Sequence, residues 1–299
     1  MAIYLAPMQG VFNAHFRKVA AQHFSGIDKC FTSFITTHGE DVYPERAFRE
    51  LSIETGIPTI PQVMGNHPER LLILCRKLQD SGAQEINLNL GCPQGTATSR
   101  KMGSGMLPHP EMLDEILDNL FSHLSVNLSV KTRLGLYKTE EFEQITPILN
   151  KYPLFEVIIH PRTGKQMYRG EADREAYKHD ASQLKAPVVY NGDIYSWNDP
   201  MVLEGTVMLG RGFASNPFLV ESILAGKSVF EKGRLKIFLE ALQEEYSQAY
   251  TGGEKQILMK MKELWEYLNI AFPETPKLSK TFKKCQNMKT YANIVQSLF

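Results

Sequence analysis

PVVYNGDI, residues 187–194, and TVMLGRGFASNP, residues 206–217, each place glycine just after a short apolar run. Runs of this kind, rich in β-branched residues, are typical of buried strands. In a (β/α)8 barrel, glycines that follow the last two strands let backbone N–H groups face a phosphate. A single GRG triplet is a weak signal, but the two segments in succession predict a phosphate site.

Six further runs of the same kind precede these two, and amphipathic helical patterns fill most of the gaps between them. The eight predicted strands are Ile3 to Met8, Lys29 to Phe34, Thr59 to Met64, Glu85 to Leu90, Ser125 to Lys131, Phe155 to His160, Pro187 to Asn191 and Thr206 to Gly210. Each strand–helix unit takes about 28 residues, a length that fits a barrel of ~250 residues. We therefore predict a mixed α/β fold, a (β/α)8 TIM barrel over residues 1–225.

The alternation of strands and helices stops after Gly226, where a small helical domain is predicted over residues 226–299. Its predicted helices are Leu235 to Tyr246, Gln256 to Leu268 and Phe282 to Leu298. This tail contains 12 Lys and Arg against 8 Asp and Glu, a net charge of +4, whereas residues 1–225 carry −4. The excess lies mainly in lysines that form either a solvated helix face or a phosphate-contacting patch, namely Lys277, Lys280, Lys283, Lys284 and Lys289.

The composition gives no global electrostatic argument for nucleic-acid binding, because basic and acidic residues number 33 each. The 4 cysteines have no C-x-x-C spacing, so neither a zinc site nor a dense disulfide framework is expected. The N-terminus lacks the pattern of a secretory signal, and no apolar run is long enough to cross a bilayer. We expect a cytoplasmic protein without a bound metal, a membrane attachment or an obligate protein partner.

Polar residues occur at or just beyond the C-terminal ends of five predicted strands, namely Gln62, Asn89, Lys131, His160 and Asn191. In a barrel these ends converge on the face that carries the active site. An isolated lysine or histidine is more often structural. Lys131 and His160, however, lie on successive strands and are each followed two residues later by an arginine. This arrangement favours a site that handles an anion.

Cys92 lies in a turn after the fourth predicted strand, in NLNLGCPQG. Such a thiol can act as a nucleophile or a general acid, and the absence of a second ligand at suitable spacing disfavours a metal. Taken alone, a buried structural cysteine is the commoner case. The following segment, SRKMGSGML, is either an ordinary glycine-rich loop or a mobile cover whose Arg100 and Lys101 meet phosphate.

Together these segments resemble the dihydrouridine synthase family. The motifs APM, NLNLGCP, VK-R-LG, H-RTG, NGDI and LGRG occur in the family's order and at comparable spacing, and the likeness continues weakly into the tail. The resemblance implies an FMN barrel in which NADPH reduces the flavin, and flavin N5 then passes hydride to carbon 6 of a uracil. The implied substrate is a uridine in tRNA or another structured RNA, extruded into the barrel mouth.

The resemblance also implies roles for single residues. Cys92 would protonate carbon 5 of the uracil, Asn89 would help to hold the base, and Lys131 and His160 would contact the flavin ring near N1 and O2. The other residues that match the FMN site are Pro7, Met8, Gln62, Asn191, Gly192, Asp193, Gly210 and Arg211. The expected contacts to the RNA are Arg100, Lys101, Arg162, Lys260, Lys262, Lys280 and Lys284.

The chain departs from the family pattern on the second strand, where Ser33 replaces a common glutamate after Thr32. Three other functions therefore stay open at this point. The chain could be an FMN barrel oxidoreductase that acts on a free pyrimidine, or a family member that acts on an RNA other than tRNA. It could also be an RNA-binding barrel that has lost catalysis.

Overall fold

The computed structural model describes residues 1–37 and 45–299, apart from the side chains of residues 45–47. Within those ranges the chain forms ten strands, all paired in parallel within one sheet. They are β1 (Ile3–Leu5), β2 (Lys29–Phe31), β3 (Ile35–Thr36), β4 (Thr59–Ile60), β5 (Gln62–Met64), β6 (Glu85–Leu90), β7 (Asn127–Gly135), β8 (Val157–Thr163), β9 (Val188–Tyr190) and β10 (Val207–Leu209). Every predicted strand overlaps at least one of these.

One predicted strand, Thr59 to Met64, is divided into β4 and β5 by Pro61, which has no N–H for a sheet hydrogen bond. The preceding predicted strand, Lys29 to Phe34, contains β2 but not β3, which begins one residue beyond its predicted end. β2 pairs with β4 and β3 pairs with β5, while β1 pairs with β10. The order of pairing therefore returns to its start, and the prediction of a (β/α)8 barrel is confirmed.

Helices connect the strands and make up most of the tail. They are α1 (Ala14–His23), α2 (Glu45–Ser52), α3 (Pro68–Asp80), α4 (Gly95–Thr98), α5 (Pro110–His123), α6 (Phe142–Leu149), α7 (Arg174–Ala181), α8 (Pro200–Leu203), α9 (Arg211–Ser215), α10 (Leu219–Ala225), α11 (Lys232–Ala249), α12 (Gly253–Leu268), α13 (Leu278–Lys284) and α14 (Met288–Gln296). Short 3-10 turns occur at Gly103–Met106, Thr139–Glu141 and Asn269–Ala271. Among the described residues, no helix combines the length and the apolar character that spanning a membrane requires.

The last predicted helix, Phe282 to Leu298, was wrong in extent, because the structure has α13 and α14 there instead. Asn287 caps the start of α14 by accepting a hydrogen bond from the Thr290 backbone N–H at 2.8 Å. Lys262 Nζ donates to the backbone carbonyls of Lys283 and Cys285, each at 2.9 Å, at the end of α13. Local capping therefore divides a segment that has a continuous helical pattern.

The tail packs directly on the barrel. α10 ends at Gly226, whose φ of 62° is the left-handed conformation that glycine adopts most easily. Beyond it, the ring of Phe238 on α11 lies 5.7 Å from that of Phe16 and 5.0 Å from that of Phe24, both in the barrel. One cluster of buried apolar side chains continues through both parts. The predicted boundary at residues 225 and 226 is thus a change of architecture within a continuous core.

We predict that Phe238→Ala lowers the free energy of unfolding by about 3–5 kcal/mol, because it leaves a cavity between the barrel and the tail. Phe238 has a relative exposure of 0%. Urea unfolding followed by circular dichroism would measure the change. Ile237→Ala is the control, since Ile237 is the neighbour on the same helix and is 55% exposed. A variant that shifted only a separate tail transition, with the barrel transition unmoved, would contradict the continuous core.

Candidate active site

A cleft of about 560 Å³ opens at the C-terminal ends of the barrel strands. It brings together most of the residues that the sequence singled out, namely Pro7, Met8, Asn89, Cys92, Lys131, His160, Asn191, Gly192, Asp193, Gly210 and Arg211. Most of them lie at or just beyond the C-terminal end of a strand, and parallel barrel strands all end on one face. Lys131 and His160 were also predicted to end their strands, but β7 and β8 continue beyond them to Gly135 and Thr163. The lining also includes Tyr267 from α12, so the tail contributes to the wall of the cleft.

Asp193 organises the cationic side of the cleft. Its carboxylate accepts a hydrogen bond from Arg211 Nη2 at 2.7 Å and forms an ion pair with Arg162. Burial would raise the pKa of Asp193, but the hydrogen bond and charge of Arg162, together with the charge of Arg211, lower it. Asp193 therefore stays ionised and fixes two guanidinium groups, so its own contact with a cofactor remains a prediction.

Arg162 corrects one of the sequence-based expectations, because it was predicted to contact RNA. Its relative exposure is only 1%, and its Nη2 also donates to the Gly170 carbonyl at 2.6 Å. Arg162 is thus an internal group that cannot reach an RNA backbone. Arg211 differs, since 26% of its side chain is exposed and it lines the cleft.

His160 is held as a neutral ring. Its Nε2 lies 2.9 Å from Arg162 Nη1, and a guanidinium can only donate, so Nε2 accepts and Nδ1 carries the proton. Burial lowers the pKa of His160 well below its ordinary value, and the charges of Arg133 and Lys131 lower it further. His160 can therefore offer an uncharged N–H donor over a wide pH range.

Lys131 is an amine for which the described residues provide no internal partner. It lines the cleft, and no hydrogen bond or ion pair joins its Nζ to any described residue. Burial lowers its pKa to about 7, and the nearby charge of Arg133 acts in the same direction. An ammonium group that has lost its water and has no partner raises the free energy of the folded state. Its position in a cleft therefore indicates a ligand that brings an anionic or hydrogen-bond-accepting atom to it.

Cys92 is nearly buried, at 8% relative exposure, and it packs in a small cluster with Met64, Ala97 and Met102. Burial raises the pKa of its thiol, while a hydrogen bond from the Gln94 backbone and the nearby cations oppose that rise without cancelling it. The thiol is therefore protonated near neutral pH, as a group that delivers a proton must be.

Gln62 does not reach the cleft, which corrects its predicted contact with the flavin. It has a relative exposure of 0%, and its side-chain amide donates to Asn87 Oδ1 and accepts from Asn89 Nδ2, both at 2.7 Å. Asn89 lines the cleft, and its Oδ1 accepts hydrogen bonds from the backbone N–H groups of Gly91 and Cys92. Asn89 thus shapes the turn that carries the thiol.

Two of the predicted RNA contacts are also used inside the protein. Lys260 Nζ pairs with Glu263 at 2.8 Å and donates to the Gly10 carbonyl, and Lys262 is bonded to the end of α13. Both side chains are only partly buried, so their contacts to RNA stay predictions. The other four predicted RNA contacts, Arg100, Lys101, Lys280 and Lys284, are exposed.

Sequence reasoning missed three tyrosines of the cleft, Tyr168, Tyr195 and Tyr267. The Tyr168 ring lies 4.6 Å from the guanidinium of Arg211 and 5.4 Å from that of Arg133. Its position a few residues after the HPRTG motif was a usable signal. Tyr267 gave none, because its place depends on how α12 packs against the barrel. Phe34 follows Ser33, the position at which the family pattern has a carboxylate, and Phe34 lines the cleft.

The FMN site that the resemblance implies fits these residues. A Cβ added at Gly212 would lie 1.9 Å from the Ile194 carbonyl oxygen, and one at Gly192 would lie 3.0 Å from Ala172 Cβ. Gly212 therefore requires glycine, a side chain at Gly192 would crowd its neighbours, and the backbone beside Arg211 carries no side chain at either position. Glycine-lined backbone and a guanidinium suit a phosphate, while Lys131 and the Nδ1–H of His160 suit the accepting edge of a flavin ring.

Comparison with known proteins gives consistent matches. A model of the dihydrouridine synthase family matches residues 4–298. The tRNA-dihydrouridine(16) synthase of Pasteurella multocida (strain Pm70) is 27% identical over 303 residues, which is 96% of each chain. The tRNA-dihydrouridine synthase B of the same organism is 28% identical over 89% of this chain and 83% of its own. A solved structure, a variant of NCR from Zymomonas mobilis, has a TM-score of 0.50 at 12% identity, over 77% of this chain and 88% of that one, and supports the fold alone.

We predict that Lys131→Met stabilises the ligand-free protein at pH 7 by up to about 4 kcal/mol. The unfolded chain keeps Lys131 protonated up to a pKa of 10.5, whereas folding lowers that pKa to about 7. The protonated group therefore opposes folding, fully below pH 7 and progressively less as the pH rises towards 10.5. Urea unfolding across this range would show the gain and its decline.

The control for this prediction is Lys185→Met, which removes an exposed ammonium group and should leave the stability nearly unchanged. A loss of stability in Lys131→Met at pH 7 would mean that the ammonium group is well paired in the folded protein.

Proposed function

This chain belongs to the dihydrouridine synthase family, and we propose that it reduces uridine to 5,6-dihydrouridine in tRNA, with FMN as cofactor and NADPH as reductant. The observation that carries the proposal is the composition of one cleft. A protonated Cys92 thiol shares it with the Lys131 cation, the neutral His160 ring and the glycine-lined backbone beside Arg211. Related proteins named as tRNA-dihydrouridine synthases support the choice of tRNA.

We propose that FMN is held by the predicted residues that line the cleft. Arg211 and the backbone near Gly192 and Gly210 would face its phosphate, while Lys131 and His160 would face its ring. When bound, FMN supplies the hydride that reduces carbon 6 of the uracil. Lys131 would offer an ammonium group to acceptor atoms of the bound ring, and His160 would offer an N–H donor. Because both groups are largely shielded from solvent, their electrostatic interactions with the ring would be strong.

Cys92 would act as the general acid. Reduction of a uracil at carbon 6 leaves negative charge that a proton on carbon 5 must neutralise. The burial that raises the pKa of the thiol keeps its proton in place until that charge develops. Asn89 fixes the Cys92 backbone through the hydrogen bond of 2.8 Å to its N–H, so the proton donor is held at one place on the wall.

RNA binding would use the surface around the cleft mouth. A uridine within a folded RNA must leave its stack to enter a closed barrel, which costs a few kcal/mol. The exposed side chains of Arg100, Lys101, Lys280 and Lys284 are available for the phosphate contacts that offset this cost. We also propose that the protein works in the cytoplasm, where its tRNA substrate is found.

We predict that Cys92→Ala retains bound flavin and its reduction by NADPH, but slows dihydrouridine formation in tRNA at least about 100-fold, because it removes the proton donor. Stopped-flow absorbance and mass spectrometry of digested tRNA would measure the two steps separately. Cys75→Ala is the matched control, since Cys75 is buried in α3 away from the cleft. A normal rate of product formation in Cys92→Ala would exclude this thiol as the acid, and activity on free uracil alone would contradict the choice of RNA.

We predict that Lys280→Glu combined with Lys284→Glu weakens tRNA binding about tenfold and reduces its salt dependence, because two phosphate contacts are lost. Filter binding at several salt concentrations would measure both effects. The control pair, Arg76→Glu with Lys185→Glu, makes the same change of charge at exposed positions outside the tail. Equal weakening in both pairs would indicate a response to net charge only.

A further inference from the structure

Strand β6 presents polar residues to the barrel interior at alternate positions. Glu85, Asn87 and Asn89 are all buried, and side chains two residues apart on a strand share a face. The interior of such a barrel is usually filled with branched apolar side chains. A buried row of polar side chains lowers the stability of the fold unless every group is hydrogen-bonded. Packing alone therefore does not explain why these residues are polar.

These residues belong to one continuous series of hydrogen bonds, which we call the polar chain and which comprises Glu85, Ser129, Asn87, Gln62 and Asn89. Ser129 Oγ donates to Glu85 Oε1 at 2.7 Å and accepts from Asn87 Nδ2 at 2.9 Å. Gln62 Nε2 donates to Asn87 Oδ1, and Asn89 Nδ2 donates to Gln62 Oε1, both at 2.7 Å. The chain thus runs along the interior from the lower end of β6 to the cleft.

The direction of the polar chain is set at Glu85. Its carboxylate is paired with Lys29 Nζ at 2.8 Å, and Lys29 also pairs with Glu156 at 3.1 Å. A carboxylate can only accept, so the Ser129 hydroxyl must donate to it and is left to accept from the next group. The same reasoning gives each following amide one orientation that satisfies both of its neighbours.

The last amide in the series touches the loop of the reactive thiol. Because Asn89 Nδ2 is directed to Gln62, its Oδ1 faces the backbone N–H groups of Gly91 and Cys92 at 2.9 and 2.8 Å. A reversed Asn89 amide would place its NH2 group against these two donors. The Glu85 carboxylate at one end and these two backbone donors at the other therefore require the same orientation of Asn89, and the whole polar chain supports the turn that carries Cys92.

We infer that Glu85, Ser129, Asn87 and Gln62 are positioning residues for Cys92, which they control by fixing the amide of Asn89 in the orientation that holds the Gly91–Cys92 turn. The inference rests on the proposed function only in treating Cys92 as the reactive group. It also gives Gln62 a role that its complete burial allows, in place of a direct contact with the cofactor.

The test breaks the polar chain at Ser129, which lies outside the cleft. In Ser129→Ala the Asn87 amide loses its acceptor, so the turn should loosen and iodoacetamide should alkylate Cys92 about tenfold faster at neutral pH. Peptide mass spectrometry would assign the label to Cys92 among the four free cysteines. Ser129→Thr keeps a hydroxyl and should restore the slow rate.

Ser222→Ala is the matched control, because Ser222 is a buried serine that also donates and accepts but belongs to α10. It should leave the alkylation of Cys92 unchanged. An unchanged rate in a folded Ser129→Ala variant, or an equal rise in Ser222→Ala, would overturn the inference. If Ser129→Ala does not fold, Gln62→Met interrupts the chain at another point with a side chain of similar volume, and the same two outcomes apply.

A second readout separates this inference from the proposed reaction. In protein loaded with FMN and supplied with tRNA, Ser129→Ala should lower kcat for dihydrouridine formation about tenfold while flavin reduction by NADPH keeps its rate. A general structural defect would slow both steps. Alkylation needs neither flavin nor RNA, so a wild-type protein that failed to reduce tRNA would refute the proposed function and leave the positioning test valid.

Discussion

The hydrogen bonds that join β1 to β10 and β2 to β4 close the parallel sheet, and the rest of the molecule depends on that closure. Closure makes every strand end at the same rim, so residues far apart in the chain become neighbours there. It also shields the interior from bulk solvent, where an unpaired polar group raises the free energy of the fold. The cleft at the rim and the polar chain beneath it are two consequences of the same constraint.

The electrostatics of the rim show what this arrangement costs. Asp193 neutralises part of the charge of Arg162 and Arg211, and Arg162 in turn fixes the tautomer of His160. Lys131 receives no such compensation from the residues that the structure describes. Groups whose pKa values are shifted by burial gather at functional sites because the same burial strengthens their action on a ligand. The folded protein is therefore less stable around Lys131 than an apolar lining would make it.

Much of the fold and part of the site could be predicted from the sequence. The strand-end position of Asn191 follows from periodicity, and the bounds of Glu85–Leu90 were predicted without error. The ends predicted at Lys131 and His160 were too early, because β7 and β8 continue beyond them. Periodicity does not tell which way a residue beside a strand break faces, so Gln62, next to Pro61, was assigned to the cleft. Whether a lysine has an internal partner depends on tertiary packing, so periodicity could not show that Lys260 and Lys262 bond to groups within the protein.

The continuous core between the barrel and the tail limits how such a protein can be recombined. Phe238 packs on barrel rings, and Tyr267 completes the wall of the cleft from α12. A tail grafted from a relative would bring a face shaped for another barrel and would remove one side of the pocket. Chimeras joined at residue 226 must therefore carry a matching barrel surface with them, and the tail is inherited together with the barrel on which it folds.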